Sequence, residues 1–255
     1  MNKNKAILIE CDPNNSLGGS CIRDINNFCW ELYNNQLIEN SNITIFTTSE
    51  VKNKILNVKY KKTQNLLYEL KNFKLKTDDF LFILLTGHGY NTIDKSGDEI
   101  DNKDEYINTG NGKLLDDDFY NELILKNLEI NAKIIFLADT CSSGTILDLD
   151  YILDQNNKFC LYTKRKLNKN QNIKLDAISI SACHDNEYSQ NDLGQKFGFG
   201  GSLSLALLEN NLLKHLFSIF NNKTSLLYIK KIISERLKKL YQNCVFSSLK
   251  EKILF

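Results

Sequence analysis

The sequence predicts an α/β fold in which helices cover both faces of a mostly parallel central sheet. Five continuous apolar runs, at 6–11, 43–47, 80–86, 133–139 and 177–183, are typical of strands that are buried on both faces. Segments with helical spacing of apolar residues separate these runs, and such alternation favours parallel strands joined by crossover helices. The chain has 255 residues, 42% of them hydrophobic, which is enough for one large domain or two small ones.

The helical segments follow in order along the chain. The first presents one apolar face, made of Ile22, Ile25, Phe28, Cys29 and Leu32. The second has its apolar residues at Leu66, Leu67, Leu70 and Phe73. A third is predicted to begin at the acidic residues 116–118, which suit the positive end of a helix, and two more are predicted at 203–213 and 229–240. Residues 90–114 and 155–174 are predicted to be irregular, because they are rich in Asn, Asp, Gly or Lys.

Composition excludes several classes of protein. The balance of 32 Lys+Arg against 31 Asp+Glu argues against bulk electrostatic binding to nucleic acid, although it is compatible with a local basic patch. We expect no membrane-spanning helix, because no uncharged apolar stretch reaches about 18 residues, and no secretory signal is recognisable at the start. The seven cysteines are an odd number and form no C-x-x-C pair, so we expect reduced thiols and a cytoplasmic location.

Two predicted strands end in residues that can carry chemistry. His88 lies between two glycines after the strand at 80–86, and Cys141 follows the strand at 133–139. The carboxyl ends of parallel strands meet at one edge of a sheet, where active sites of such folds lie. A cysteine beside a histidine is the minimal nucleophile and base for acyl transfer. A lone cysteine is more often a buried core residue, so the combination of motifs carries this interpretation.

Three stretches together resemble one protease family. Residues 84–105 (LLTGHGYNTIDKSGDEIDNKDE), 113–123 (KLLDDDFYNEL) and 134–152 (IIFLADTCSSGTILDLDYI) are similar to the catalytic region of metacaspases, which are caspase-related cysteine peptidases. The similarity extends weakly to 17–24 and 179–189, and His88 and Cys141 have the separation of about 50 residues known from caspases. The arrangement looks like type I without its N-terminal prodomain, because the first strand begins near Lys5.

The resemblance implies a fold and a division of the chain. We expect a caspase-like α/β/α sandwich that forms one domain. Residues 1–154 would correspond to the large catalytic part, 155–174 to a basic linker and 175–255 to the small part. Caspases dimerise edge to edge, whereas metacaspases are generally monomeric, so the resemblance favours a monomer.

The same resemblance assigns the reaction. It implies that His88 is the general base, that Cys141 is the nucleophile, and that the backbone N–H groups of Gly89 and Cys141 form the oxyanion hole. Ser142 stands where the family commonly has histidine. Ser142 does not match the base, so we expect the activity to survive this difference.

Four further residues match the family's pocket for the substrate residue before the cleaved bond: Asp24, Thr86, Asp139 and Asp185. Carboxylates in a confined pocket favour Arg or Lys. Taken alone, Asp24 could be an exposed helix residue and Asp185 a turn former. Asp139 is harder to explain away, because it ends an apolar strand where an unpaired carboxylate would be costly.

Acidic residues also suggest calcium. Residues 94–105 superficially resemble an EF-hand loop, but Glu99 occupies the position that requires glycine, and we reject that interpretation. The resemblance implies a different calcium site, with ligands Asp104, Asp116, Asp117 and Asp148. The alternative is that these acids cap a helix and solvate a loop.

The sequence thus predicts a calcium-stimulated cysteine endopeptidase that acts on protein or peptide substrates after Arg or Lys. It could process itself in the basic linker, at Lys164, Arg165 or Lys166, with Lys158 and Lys174 as other positions; an exposed, uncleaved loop is equally compatible. The main alternative is a catalytically silent binding or decoy module with a caspase-like fold. Legumain-like or paracaspase-like peptidases are a third possibility.

Overall fold

The centre of the molecule is a nine-stranded sheet with the order β10-β9-β14-β11-β8-β4-β1-β2-β3. The computed structural model describes residues 4–51, 54–63, 65–164, 172–221 and 223–251. The strands are β1 Asn4–Cys11, β2 Ile43–Thr47, β3 Lys59–Lys62, β4 Phe80–Gly87, β5 Gly89–Ile93, β6 Lys103–Asn108, β7 Lys113–Leu115, β8 Lys133–Asp139, β9 Tyr151–Leu153, β10 Phe159–Leu161, β11 Asp176–Ser181, β12 Asn191–Gly194, β13 Gly198–Gly201 and β14 Val245–Ser248. The α-helices are α1 Ser20–Asn34, α2 Leu66–Asn72, α3 Asp116–Phe119, α4 Ser202–Glu209, α5 Leu212–Ser218 and α6 Leu226–Leu237.

The six strands from β11 to β3 are parallel, which confirms the predicted fold class. Five of them, β11, β8, β4, β1 and β2, are largely buried because helices cover both faces of the sheet, whereas the edge strand β3 consists mostly of lysine. Successive side chains along a strand therefore lie in hydrophobic cores on opposite faces of the sheet. Phe82 packs with α1 on one face, whereas Ile83 packs on the other face with residues from the segment that begins at α3. Where β4 pairs with β8, Thr86 lies opposite Asp139, so the two strands end at the same level.

The far side of the sheet is antiparallel. β14 runs antiparallel to β11, and β9 and β10 extend the sheet beyond it. The sequence did not predict β3, β9, β10 or β14, because short strands of mixed polarity carry too weak a periodic signal. β10 lies inside the predicted linker 155–174, so part of that segment is a strand rather than an exposed loop.

Three other expectations require correction. Residues 90–114 are not irregular, because β5, β6 and β7 form a small antiparallel sheet there. The helix predicted at 203–213 is interrupted between α4 and α5 at Asn211, which adopts a left-handed conformation with φ of 52°. The helix that begins at Asp116 stays α-helical only to Phe119 and continues as a wider π turn over Tyr120–Ile124. The short β12–β13 hairpin leads directly into α4.

Helix length also bears on the membrane expectation. Among the residues that the structure describes, no helix has both the length and the apolar character needed to cross a bilayer.

Candidate active site

His88 directly follows the end of β4, and close backbone packing holds it there. Its N–H donates to the carbonyl oxygen of Cys11 on β1 over 3.1 Å. The preceding residue must be glycine, because Gly87 has a φ of 149° and a Cβ there would lie 2.3 Å from that same carbonyl oxygen. The His88 side chain remains 30% exposed, and its Nε2 lies 2.6 Å from Ser16 Oγ and 3.5 Å from Asp12 Oδ1.

Cys141 leaves the neighbouring strand at the same level as His88. Thr86 and Asp139 are paired, so His88 and Cys141 each come two residues after a matched pair. The two segments touch, because a Cβ on Gly89 would lie 2.0 Å from the Cys141 carbonyl oxygen. Cys141 is half-buried, and its Sγ lies 3.7 Å from the Ser189 carbonyl oxygen. The fold thus brings the predicted nucleophile and base to one edge of the sheet.

The surroundings of the Cys141 thiol favour its protonated form. Burial raises its pKa, the contact with Ser189 lowers it, and the negative charge of Asp139 raises it again. A neutral thiol is a weak nucleophile, so the site needs a base to remove the proton. Ser142, the next residue, sits in a tight left-handed turn with φ of 46°, and its N–H donates to the Glu187 carbonyl oxygen over 3.1 Å. The backbone therefore turns sharply at Ser142, directly after Cys141.

Two carboxylates, Asp24 from α1 and Asp139 from β8, are buried beside the nucleophile segment. Asp24 Oδ2 accepts a hydrogen bond from the Gly201 N–H over 2.8 Å, whereas its buried Oδ1 has no hydrogen-bond partner within the described residues. Asp139 accepts from Ser189 Oγ and from the Ser204 N–H, both over 2.8 Å. Burial raises the pKa of both carboxyl groups, and the charge of Asp139 raises that of Asp24 further.

The Gly200–Gly201 step shapes this carboxylate pair. A Cβ on Gly200 would lie 2.2 Å from Asp24 Oδ1, and one on Gly201 would lie 2.3 Å from Asp139 Oδ2. Only glycine therefore fits at these two positions of β13, which lie against the carboxylates of Asp24 and Asp139. Sequence reasoning missed these two glycines, although the letters GFGGS at 198–202 were a visible signal. Thr86 is buried next to the pair, opposite Asp139 and in contact with Cys21.

Asp185 makes its hydrogen bonds with the turn that follows Cys141. Its Oδ1 accepts from the Thr145 N–H over 3.0 Å and lies where a Cβ on Gly144 would stand. Burial raises the pKa of its carboxyl group, the Thr145 hydrogen bonds lower it, and Asp101 raises it again. Its contacts therefore join the turn after Cys141 to a separate cluster of acids.

That acid cluster lies between the β5–β6 loop and the start of α3. Ligand atoms of Asp104, Asp116 and Asp117 fall within 4.8 Å of one another, as do those of Asp98, Glu99 and Asp148. Asp148 belongs to the second of these groups, and its charge also raises the pKa values of Asp104 and Asp116. Burial, followed by the charges of neighbouring acids, raises the pKa of Asp104 to about 6. The same causes raise the pKa values of Glu99 and Asp116 far more.

Sequence reasoning missed Glu99 and Glu105 in this cluster. Glu105 is 1% exposed; one carboxylate oxygen accepts from Thr145 Oγ1, and Oε1 has no hydrogen-bond partner within the described residues. Both glutamates belong to the acidic stretches GDE and KDE that the resemblance already included. The loop 94–102 joins two antiparallel strands and not two helices, in agreement with the rejection of an EF-hand.

The basic linker is only partly described. Lys164 is anchored to the acidic loop: its N–H donates to the Asp98 carbonyl oxygen over 2.9 Å, and its Nζ donates to Asn102 Oδ1 over 3.2 Å. Arg165 and Lys166 lie outside the described residues. The backbone N–H groups of Lys158 and Lys174 donate to Asp154 Oδ1 and to the Leu128 carbonyl oxygen, each over 2.8 Å.

Comparison with known proteins agrees with this geometry. Residues 4–150 match the family described as metacaspase, peptidase C14 domain. The chain is 33% identical over 118 residues to Metacaspase-3 of Arabidopsis thaliana, an alignment that covers 44% of this chain and 32% of that protein. It is 27% identical over 196 residues to Metacaspase-1A of Aspergillus oryzae, which covers 74% of this chain and 44% of that protein. The matches therefore span less than half the length of these relatives.

One solved structure supports the fold independently. The crystal structure of protein GSU0716 from Geobacter sulfurreducens superposes with a TM-score of 0.56 and covers 96% of this chain and 92% of that one. The sequence identity is 17%, so this similarity bears on the fold alone.

Proposed function

The chain belongs to the metacaspase family of C14 peptidases, and from that premise we propose that it is a cysteine endopeptidase that cleaves after Arg or Lys. One observation carries the proposal: a half-buried thiol and a histidine leave adjacent strands beside two buried carboxylates. The thiol and the imidazole supply the chemistry, and the carboxylates supply the selectivity.

In the proposed reaction, His88 removes the thiol proton and Cys141 Sγ attacks the carbonyl carbon of the substrate. The C–N bond then breaks, the leaving amine takes the proton from His88, and a thioester remains on Cys141. Water hydrolyses the thioester to a carboxylate and restores the thiol. The N–H groups of Gly89 and Cys141 would stabilise the oxyanion, and the loss of one such donor typically costs about 2.7–4 kcal/mol.

The selectivity follows from the cost of burying negative charge. Asp24 and Asp139 are 0% and 5% exposed, and each raises the energy of the other when both are ionised. A guanidinium or ammonium group between them would relieve this repulsion and give Asp24 Oδ1 a donor. A substrate with Asp at the same position would add a third negative charge, so we expect no cleavage after Asp.

We also propose that calcium stimulates the enzyme. The donor set fits this ion, because calcium prefers carboxylate oxygens and several of these lie close together here in buried or half-buried positions. Asp104, Asp116 and Asp117 would hold it, with Asp148 close by. When bound, calcium would neutralise repelling carboxylates next to the turn that follows Cys141. Thr145, in that turn, touches both Asp185 and Glu105, which gives the cluster a physical route to the active site.

Self-processing in the basic linker is part of the same proposal. A pocket for Arg or Lys would accept Lys164, Arg165 or Lys166. The attachment of Lys164 to Asp98 and Asn102 would have to open first, since a protease binds its substrate in an extended form. Lys158 and Lys174 have engaged backbone N–H groups and are the poorer candidates.

We propose further that the protein is a monomer in a reducing, cytoplasm-like compartment. Edge strand β3 has three lysines in four residues, and edge strand β10 has only three residues; both features discourage pairing with another sheet. All seven cysteines fall in the described part of the chain, and none of them is paired there.

The decisive experiment measures hydrolysis of matched fluorogenic peptides that end in Arg, Lys or Asp. Each is tested with calcium and with chelator, for the wild type and Cys141→Ala. We expect calcium-dependent cleavage after Arg and Lys that the variant lacks. Cleavage after Asp would refute the pocket, equal rates with chelator would refute the calcium claim, and inactivity in every condition would favour the non-catalytic binding module.

A further inference from the structure

The loop between β1 and α1 contacts the catalytic histidine through a chain of side-chain hydrogen bonds. Asp12 is 2% exposed, and its Oδ1 accepts from both the N–H and the Oγ of Ser16, over 2.9 and 3.0 Å. Ser16 Oγ in turn lies 2.6 Å from His88 Nε2. Asp12 Oδ1 is itself 3.5 Å from that nitrogen. The side chain of His88 is thus approached by a hydroxyl and a carboxylate on the same ring atom.

The hydrogen atoms in this chain determine the tautomer of His88. A serine hydroxyl has one hydrogen, and Ser16 gives it to Asp12, because a carboxylate can only accept. With its hydrogen directed to Asp12, Ser16 Oγ is left to accept from His88, and this arrangement places the ring hydrogen on Nε2. In the neutral ring the lone pair is then on Nδ1, for which no hydrogen bond is found among the residues that the structure describes.

From this geometry we propose that Ser16 and Asp12 are positioning residues that hold His88 as the Nε2–H tautomer, so that Nδ1 is the base for Cys141. The inference rests on the proposed peptidase function. In the reaction, the thiol proton moves from Cys141 Sγ to His88 Nδ1, while the Nε2 hydrogen stays in place. Ser16 and Asp12 exchange no proton; Asp12 stabilises the imidazolium by charge, and Ser16 keeps the ring oriented.

A buried carboxylate anchors the positioning pair. Glu10, near the end of β1, accepts from the Asp12 N–H over 2.7 Å and from the Thr48 and Ser49 N–H groups over 2.8 and 3.1 Å. It therefore joins the ends of β1 and β2 to the loop that carries Asp12. The loop is held by buried hydrogen bonds, so it can define the position of His88 and does not merely follow it.

The other neighbours of His88 leave this role to the loop. The ring of Tyr90 on β5 stacks against the His88 ring with centroids 6.2 Å apart, which fixes its plane but offers no partner to a ring nitrogen. Tyr106 on β6 stacks behind Tyr90. Asp12 and Glu10 are the two carboxylates that the end of β1 and the loop after it contribute near the His88 ring.

The test uses the full chain with four variants: Ser16→Ala, Ser16→Thr, Asp12→Asn and the control Asn14→Ala, which alters an exposed residue of the same loop. Ser16→Ala should lower kcat about ten- to a hundredfold with little change in KM, because the lost hydrogen bond is to a ring that becomes charged. Ser16→Thr keeps the hydroxyl and should stay within about threefold of the wild type. Asp12→Asn should lower kcat at least as much as Ser16→Ala.

A spectroscopic readout separates this role from simple loop support. The chain has three histidines, so ring ¹⁵N spectra of histidine-labelled protein can be assigned, with His184 and His215 as internal references. At alkaline pH, His88 of the wild type should be the Nε2–H tautomer, and Ser16→Ala should give a mixture while Asn14→Ala should not. An Nδ1–H tautomer in the wild type would overturn the proposal, as would unchanged kcat in Ser16→Ala. A wild type without peptidase activity would refute the function, whereas the spectra would still test the tautomer.

Discussion

Replacement of Asp24 by asparagine should make the protein more stable and less active at the same time. Asp24 is 0% exposed, and its Oδ1 has no hydrogen-bond partner in the described part of the chain. Burial and the charge of Asp139 raise the pKa of its carboxyl group well above the usual value. Ionisation of Asp24 is therefore unfavourable in the folded state, whereas asparagine keeps the hydrogen bond from the Gly201 N–H and carries no charge.

The pH dependence has a defined sign. An aspartate whose pKa is higher in the folded than in the unfolded state makes the protein lose stability as pH rises above the unfolded value of about 4. Asp24→Asn removes that loss, so the variant should exceed the wild type by about 2 kcal/mol at neutral pH. For a domain of this size this corresponds to about 4–8 °C in Tm. The difference should shrink as pH falls to about 4 and below, because Asp24 then becomes protonated in the unfolded state as well as in the folded state of the wild type.

The loss of activity comes from the same carboxylate. Removing one partner of a buried charge pair costs about 3–4 kcal/mol, so kcat/KM for an Arg peptide should fall about 100- to 1000-fold. Calorimetry between pH 4 and 8 and peptide hydrolysis measure the two effects. Asp176→Asn is the matched control, because Asp176 pairs with Lys250 at the surface and its loss should change neither quantity much. A variant that is less stable than the wild type at neutral pH would refute the reasoning about Asp24.

Three further outcomes test other parts of the site. Gly201→Ala should raise KM for Arg peptides at least tenfold, because the new Cβ would lie 2.3 Å from Asp139 Oδ2 and would displace this carboxylate. The control Gly112→Ala places a Cβ in open space and should leave KM unchanged. Calcium at 100 times its Kd should stabilise the protein by about 2.7 kcal/mol in calorimetry, and Asp116→Asn should abolish the shift; an equal shift with magnesium would contradict a calcium-sized site. Alkylation of the Cys141 thiol, followed by mass spectrometry of the peptide that carries it, should become faster as pH rises, because the pKa of this thiol is raised. An alkylation rate that is independent of pH would imply a resting thiolate and contradict this expectation.

Much of the fold was predictable because buried parallel strands leave a strong local signal. β1, β2, β4, β8 and β11 are continuous apolar runs, and their alternation with helices permits few topologies. β3, β9, β10 and β14 were missed because each is a short strand whose pairing is decided by distant residues. The same holds for the small sheet of β5, β6 and β7, whose residues are polar enough to read as a loop.

The individual residues of the site could be predicted from the sequence, but which of them lie together in space could be predicted less well. His88, Cys141, Asp24, Asp139 and Thr86 were all named from sequence motifs, and the structure brings them to one edge of the sheet. The hydrogen bond that Asp185 accepts from Thr145 and the close approach of Asp148 to Asp98 and Glu99 were not apparent from the sequence. The reason is that a motif identifies a residue type at a position, whereas the partner of a carboxylate depends on how loops pack.

By itself, the amino-acid sequence determined the strand ends that carry Cys141 and His88, because hydrophobic runs and glycine-flanked motifs act within a few neighbouring residues. The tertiary structure alone decided which side chains complete the site. Ser16 meets His88 across 72 positions, and the Gly201 N–H meets Asp24 across 177. Contacts over such separations leave no periodic or compositional trace in the chain, since they depend on the packing of the whole sheet and its loops.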